Sequence, residues 1–125
     1  MASIDIKEKF VSLDREGEIH VWFTKRLWEL SKELPVFEYE VASFGCFDED
    51  IWFGDQHKPT VNKVLDHYKR IESASFEYPI ILSQDGSLFD GAHRICRAYI
   101  DGRKTIPAVK FAVDPEPDRR YPIES

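Results

Sequence analysis

The sequence predicts an α+β domain, and three observations carry that expectation. An alternating segment with a central glycine lies near the start, two later stretches carry apolar residues at helical spacing, and short apolar or β-branched runs stand between them. With 125 residues, 42% hydrophobic and 14% aromatic, the chain can bury one core of ordinary size, so residues 1–125 are expected to form a single domain.

Each element follows from local chemistry. KFVSLDREGEIHVWF alternates on either side of Asp14-Arg15-Glu16-Gly17 and reads as a β-hairpin with Gly17 in the turn. Thr24 can cap a helix in which Leu27, Trp28 and Leu30 to Leu34 form an apolar side until Pro35 ends it. VFEYEVA, residues 36 to 42, has the alternation and β-branched or aromatic content of a strand. Residues 43 to 58, SFGCFDEDIWFGDQHK, have no period; their length and four aromatics suggest an ordered functional loop or a cover over a site.

Pro59 suits the first turn of a second helix, with Val61, Val64, Leu65, Tyr68 and Ile71 as its buried stripe. YPIILS is then a short strand, and Gln84-Asp85-Gly86 a turn into Ser87-Leu88-Phe89. Residues 91 to 101 read as a helix capped by Gly102, and TIPAVKF as a last strand with Pro107 at an edge or bulge. The proline-rich tail from residue 112 is expected to be loosely held.

A net charge of −6 and a pI near 5.2 argue against affinity built on neutralising nucleic-acid phosphates. Cys46 and Cys96 have neither disulfide-framework nor zinc-site spacing, and no run approaches the roughly 20 apolar residues of a membrane span. No charged-then-apolar leader opens the chain, so the expected setting is the cytoplasm, without a membrane partner.

The chemistry concentrates at Asp90-Gly91-Ala92-His93-Arg94. A helix start exposes unpaired N–H groups and a partial positive charge, which attract anions. Gly91 and Ala92 would let a ligand approach the backbone, while His93 and Arg94 lean back toward the same point, a donor set suited to phosphate. The same residues also suit a plain helix start with Asp90 as N-cap, His93 packed beside it and Arg94 solvated. On the preceding helix Lys63, His67 and Arg70 recur at i, i+4 and i+7, either bordering that mouth or forming a solvated basic face.

LFDGAHRICRAYIDGRKTIPAVKF resembles the ParB/sulfiredoxin superfamily, in which a strand leads to a Gly-x-His-Arg or Gly-x-Arg-Arg box opening a helix, followed by Ala, Gly and Ile-Pro or Val-Pro. The matching residues are Asp90, Gly91, His93, Arg94, Ala98, Gly102, Ile106 and Pro107, and PTVNKVLDHYKRI with YPIIL resembles the helix and strand before the box. The resemblance covers roughly residues 36 to 111 and implies a small mixed sheet with helices packed on it. Residues 1 to 35, a β-hairpin and helix, would be an N-terminal elaboration.

That resemblance implies a nucleotide bound through its phosphates: CTP in ParB proteins, ATP in sulfiredoxins, and ATP or ADP with Mg2+ in related small kinases. By position Asp90, Gly91, Ala92, His93 and Arg94 would form the nucleotide site, with Lys63 and His67 beside it. Sulfiredoxins place a nucleophilic cysteine where Ala92 stands, so their chemistry is not expected. The helix-turn-helix of ParB proteins has no counterpart after Phe111, which disfavours DNA partitioning, and the net charge of −6 stands against a nuclease or DNA-binding role.

Phosphoryl transfer or ATP hydrolysis would need a carboxylate near the terminal phosphate. Glu49 and Asp50 are the candidate catalytic acids, ahead of Asp48 and Asp55; a solvated acidic loop is the alternative. No metal site of the chain's own is expected, and His57 is a weaker phosphate or metal candidate. Whether the chain is an enzyme stays open. The alternative function is a non-enzymatic interaction module, with a protein partner or a homodimer, using the aromatic loop and the N-terminal hairpin; an exposed patch of Phe44, Trp52 and Phe53 would favour it.

Overall fold

A computed structural model describes residues 8–53 and 58–123, so Asp55 and His57 lie outside the described residues. These residues form an α+β structure with three α-helices and two sheets, consistent with the expected class. No helix among them is long and apolar enough to cross a membrane.

β1 (Phe10–Arg15) and β2 (Glu18–Phe23) pair antiparallel from Phe10 opposite Phe23 to Arg15 opposite Glu18. Glu16 and Gly17, at φ 51° and 80°, make the two-residue turn, whose left-handed backbone costs glycine nothing. α1 (Thr24–Ser31) follows directly. Thr24 does not cap it: the residue is buried as the first helical position, its N–H donates to Lys9 O at 3.0 Å, and Phe23 occupies the N-cap.

The C-terminal segment is built into the structure, contrary to the expected loose tail. β7 (Arg119–Pro122) pairs with β2 and gives the sheet order β1-β2-β7. An unpaired strand edge offers a row of donors and acceptors, and this segment takes them. Side chains reinforce the join: Trp22 Nε1 donates to Pro115 O at 2.7 Å and the Phe23 N–H to Asp118 Oδ2 at 2.9 Å.

In the second sheet β3 (Phe37–Glu40), β6 (Thr105–Lys110), β4 (Ile80–Leu82) and β5 (Leu88–Asp90) stand in that order. β3 pairs antiparallel with β6, Phe37 opposite Ala108, and β4 with β5 through the turn expected at Gln84-Asp85-Gly86. Pro107 lies opposite Glu38 in a strand with neighbours on both sides, so it marks no edge. Its ring suits extended backbone and only its missing N–H is a loss to the ladder.

The chain divides into two compact units. The first takes the described residues of Met1–Pro35, Ile81–Asp90 and Val109–Ser125, with a core of Trp22, Leu27, Ile81, Phe89, Val109 and Phe111. The second takes those of Val36–Ile80 and Gly91–Ala108, where Val41, Phe44, Ile80, Ile95, Ala98, Ile106 and Ala108 are buried.

Two helices belong to the second unit. α2 (Val61–Glu72) is capped by Thr60, whose Oγ1 accepts the Lys63 N–H at 3.3 Å, so Pro59 precedes the cap. The stripe expected to be buried is not: Val61, Val64, Leu65 and Tyr68 are 75%, 48%, 49% and 54% exposed. α2 instead turns His67 and Ile71 inward, and it packs against α3 (Ala92–Ile100). α3 buries Ile95 and Ala98 and ends as expected at Gly102, where Gly102 N–H bonds Tyr99 O and Arg103 N–H bonds Ala98 O.

Candidate functional site

The second unit gathers two of the sequence candidates from different helices. His67 Nδ1 lies 2.8 Å from His93 Nε2, a separation of 26 residues closed by the packing of α2 on α3. One nitrogen must donate and the other accept. The rings lie within 14° of parallel, and Trp52 stacks on both, at 4.4 Å from His67 and 4.9 Å from His93. Phe53 meets His67 edge-on at 5.4 Å.

Where it is described, the loop packs on His67 and His93 through Trp52 and on His67 through Phe53. Phe44 is buried against Phe47 at 5.0 Å, and Phe47 packs on Tyr99 at 4.9 Å. The exposed patch that would favour an interaction module is not formed: Phe44 is buried, and the half-buried Trp52 and Phe53 each have a ring partner. Asp50 Oδ1 accepts the Phe53 N–H at 2.8 Å, a turn that presents Trp52 and Phe53 to the imidazoles.

His93 stands in the first turn of α3, whose N-cap is Gly91 at φ 118° and carries no side-chain cap. The expected N-cap Asp90 belongs to the first unit, where its Oδ2 accepts Trp28 Nε1 at 2.7 Å. Sequence reasoning missed that partner, since nothing local links positions 62 residues apart. Gly91 is required by a neighbour: a Cβ there would lie 2.8 Å from Ile80 Cβ and closer still to Cγ2. The close approach expected of a ligand is thus made by Ile80, against the face that glycine leaves open.

Arg94 Nη1 donates to Tyr78 O at 2.6 Å and Pro79 O at 2.8 Å, tying the chain before β4 to α3. Arg97 reaches Glu72 O and bonds Asp101 Oδ2 at 2.8 Å. Lys63 is exposed on α2, and Arg70 is held in an exposed ion pair with Asp66 at 3.1 Å. Partial burial, then the Arg70 charge, push the His67 pKa below its ordinary value, with Asp66 opposing them.

The two candidate acids have other surroundings. Glu49 lies beside Cys46, where burial first and then the Glu49 carboxylate push the thiol pKa up. Cys46 is therefore held as a thiol, in keeping with its acidic loop. Burial likewise raises Cys96. Among the described residues no three His, Cys, Asp or Glu side chains are grouped to hold a metal ion.

A shallow cleft of about 620 Å³ elsewhere on this unit is lined by Glu40, Tyr99, Arg103, Lys104 and Thr105 among others, and by none of the candidate residues. In comparisons with known proteins, no family model, no curated protein and no solved structure matches this chain.

Proposed function

We propose that this chain is a cytoplasmic nucleotide-phosphate-binding domain of the ParB/sulfiredoxin type, with its anion seat where α3 begins. The observation that carries the reading is the 2.8 Å contact of His67 with His93, beside a helix start with no side-chain cap. Helix-start amides and a protonatable imidazole pair are complementary to phosphate oxygens. Lys63 and Arg94 add positive charge on the same two helices, with Arg94 also clamping residues 78 and 79. A phosphotransferase or ATPase activity would further need Glu49 or Asp50 to meet the terminal phosphate.

Isothermal titration with ATP, ADP, CTP and GTP, with and without magnesium, tests this. At least one should give heat, and His93→Gln should weaken it by about ten- to a hundredfold, the scale of one lost charged hydrogen bond. Absence of heat with all four nucleotides overturns the proposal.

One observation favours the alternative, an interaction module whose partner is a second copy. Val61, Val64, Leu65 and Tyr68 repeat at the spacing by which identical helices interlock, and an isologous contact needs only one such self-matching face. Sedimentation velocity across a concentration series should then show a dimer that Leu65→Glu dissolves. A monomer at all concentrations removes this reading.

A further inference from the structure

A hydrogen bond between two imidazoles requires an acceptor nitrogen, so at least one ring must be neutral. His67 and His93 make such a bond at 2.8 Å with their rings 14° apart. The indole of Trp52 lies across both, inclined by 15° and 7°. One aromatic plate thus rests on a surface whose flatness depends on a single proton. If both rings were charged, two N–H groups would point at each other and the bond would become a repulsion.

We infer that His67 and His93 act as one proton-sharing pair, and that protonation of both rings separates them and lifts Trp52, with residues 50 to 53, away from α2 and α3. The cover is closed above the ordinary histidine range and opens in mild acid. This inference does not depend on any nucleotide being bound.

The surroundings set the direction. Among the described residues, α2 contributes Asp66 and Arg70, the two charges that act on His67, and α3 contributes His93 with Arg94 next in sequence. The loop contributes the uncharged rings of Trp52 and Phe53, with Asp50 accepting at the turn behind them. Burial and Arg70 outweigh Asp66, so His67 resists protonation. A group whose pKa is lowered by folding stabilises the closed form above about pH 6.5, its unfolded value, and this is lost as the pH falls through the lower folded value.

The test is an NMR titration of the free protein from pH 8 to 4.5, following both imidazoles and the indole N–H of Trp52. The pair should titrate in two steps separated by about one unit or more, as strongly coupled sites do. The lower step should move the Trp52 indole and the amides of residues 50 to 53, leaving the Ile95 amide, bonded to Gly91 O inside α3, in place. His93→Gln and, separately, His67→Gln should each abolish the second step and the Trp52 movement. Independent titration of the two rings, a Trp52 signal that never moves, or movement of Ile95 together with Trp52 overturns the inference.

Discussion

Ile80 stands where any side chain at position 91 would have to go. A Cβ added to Gly91 would fall 2.8 Å from Ile80 Cβ, and the residue's φ of 118° is itself one that L-residues avoid. Both constraints lie where α3 begins.

Gly91→Ala is accordingly expected to cost about 3 kcal/mol, combining backbone strain with overpacking against a buried isoleucine. Urea unfolding monitored by circular dichroism measures it. A cost below about 0.5 kcal/mol, the range of ordinary surface changes, would show that neither constraint is real.

Arg94 should behave as a clamp on the backbone before β4. Its Nη1 serves two carbonyls, at Tyr78 and Pro79, from a side chain one bond longer than that of lysine. Arg94→Lys, which keeps the charge, should lose about 1 to 3 kcal/mol of stability. Equal stability of the Arg and Lys proteins would reduce Arg94 to a source of charge.

The Ser83 hydroxyl is buried in the first unit and donates to Asp85 Oδ1 at 2.5 Å, while Arg15 lies 3.3 Å from Asp85 Oδ2. Ser83 first, then the Ser87 N–H and hydroxyl, hold the Asp85 carboxyl well below the usual carboxylate range. A depressed carboxyl stabilises the fold above its unfolded pKa of about 4 and loses that contribution as the pH falls below it. Thermal melts should therefore drop steeply below about pH 4, and Asp85→Asn should flatten that acid limb. Ser83→Ala should cost about 1 to 2 kcal/mol at neutral pH. Identical acid limbs in wild type and Asp85→Asn would contradict this.

Cys46 should be a slow thiol. Burial and the Glu49 carboxylate both disfavour its thiolate, so alkylation by iodoacetamide at pH 8 should run several-fold slower than for an exposed thiol. Glu49→Gln should accelerate it by removing the charge. Faster reaction in the wild type than in Glu49→Gln would place the carboxylate elsewhere.

Local chemistry was legible along the chain. The hairpin, its glycine turn, the Gln84-Asp85-Gly86 turn and the Gly102 helix end all depend on residues within a few positions of one another, and all formed. What failed were statements about sidedness and partnership. The apolar stripe of α2 correctly announced a helix but not which side meets protein, because α3 took the side of His67 and Ile71. The proline-rich C-terminus did not announce that β2 had an edge to fill.

At the site the same division holds. The sequence by itself determined that an imidazole and a guanidinium would stand at the first turn of a short helix behind a glycine, since helix-start signals lie in neighbouring residues, although it named Asp90 and not Gly91 as the cap. Only the tertiary structure decided that His67 would face His93, that Trp52 would lie across both, that Ile80 would claim the space over Gly91, and that Asp90 would turn to Trp28. The physical reason is that hydrogen bonds and ring contacts act over a few ångströms in space, and distance along a chain carries no information about them until the chain has packed.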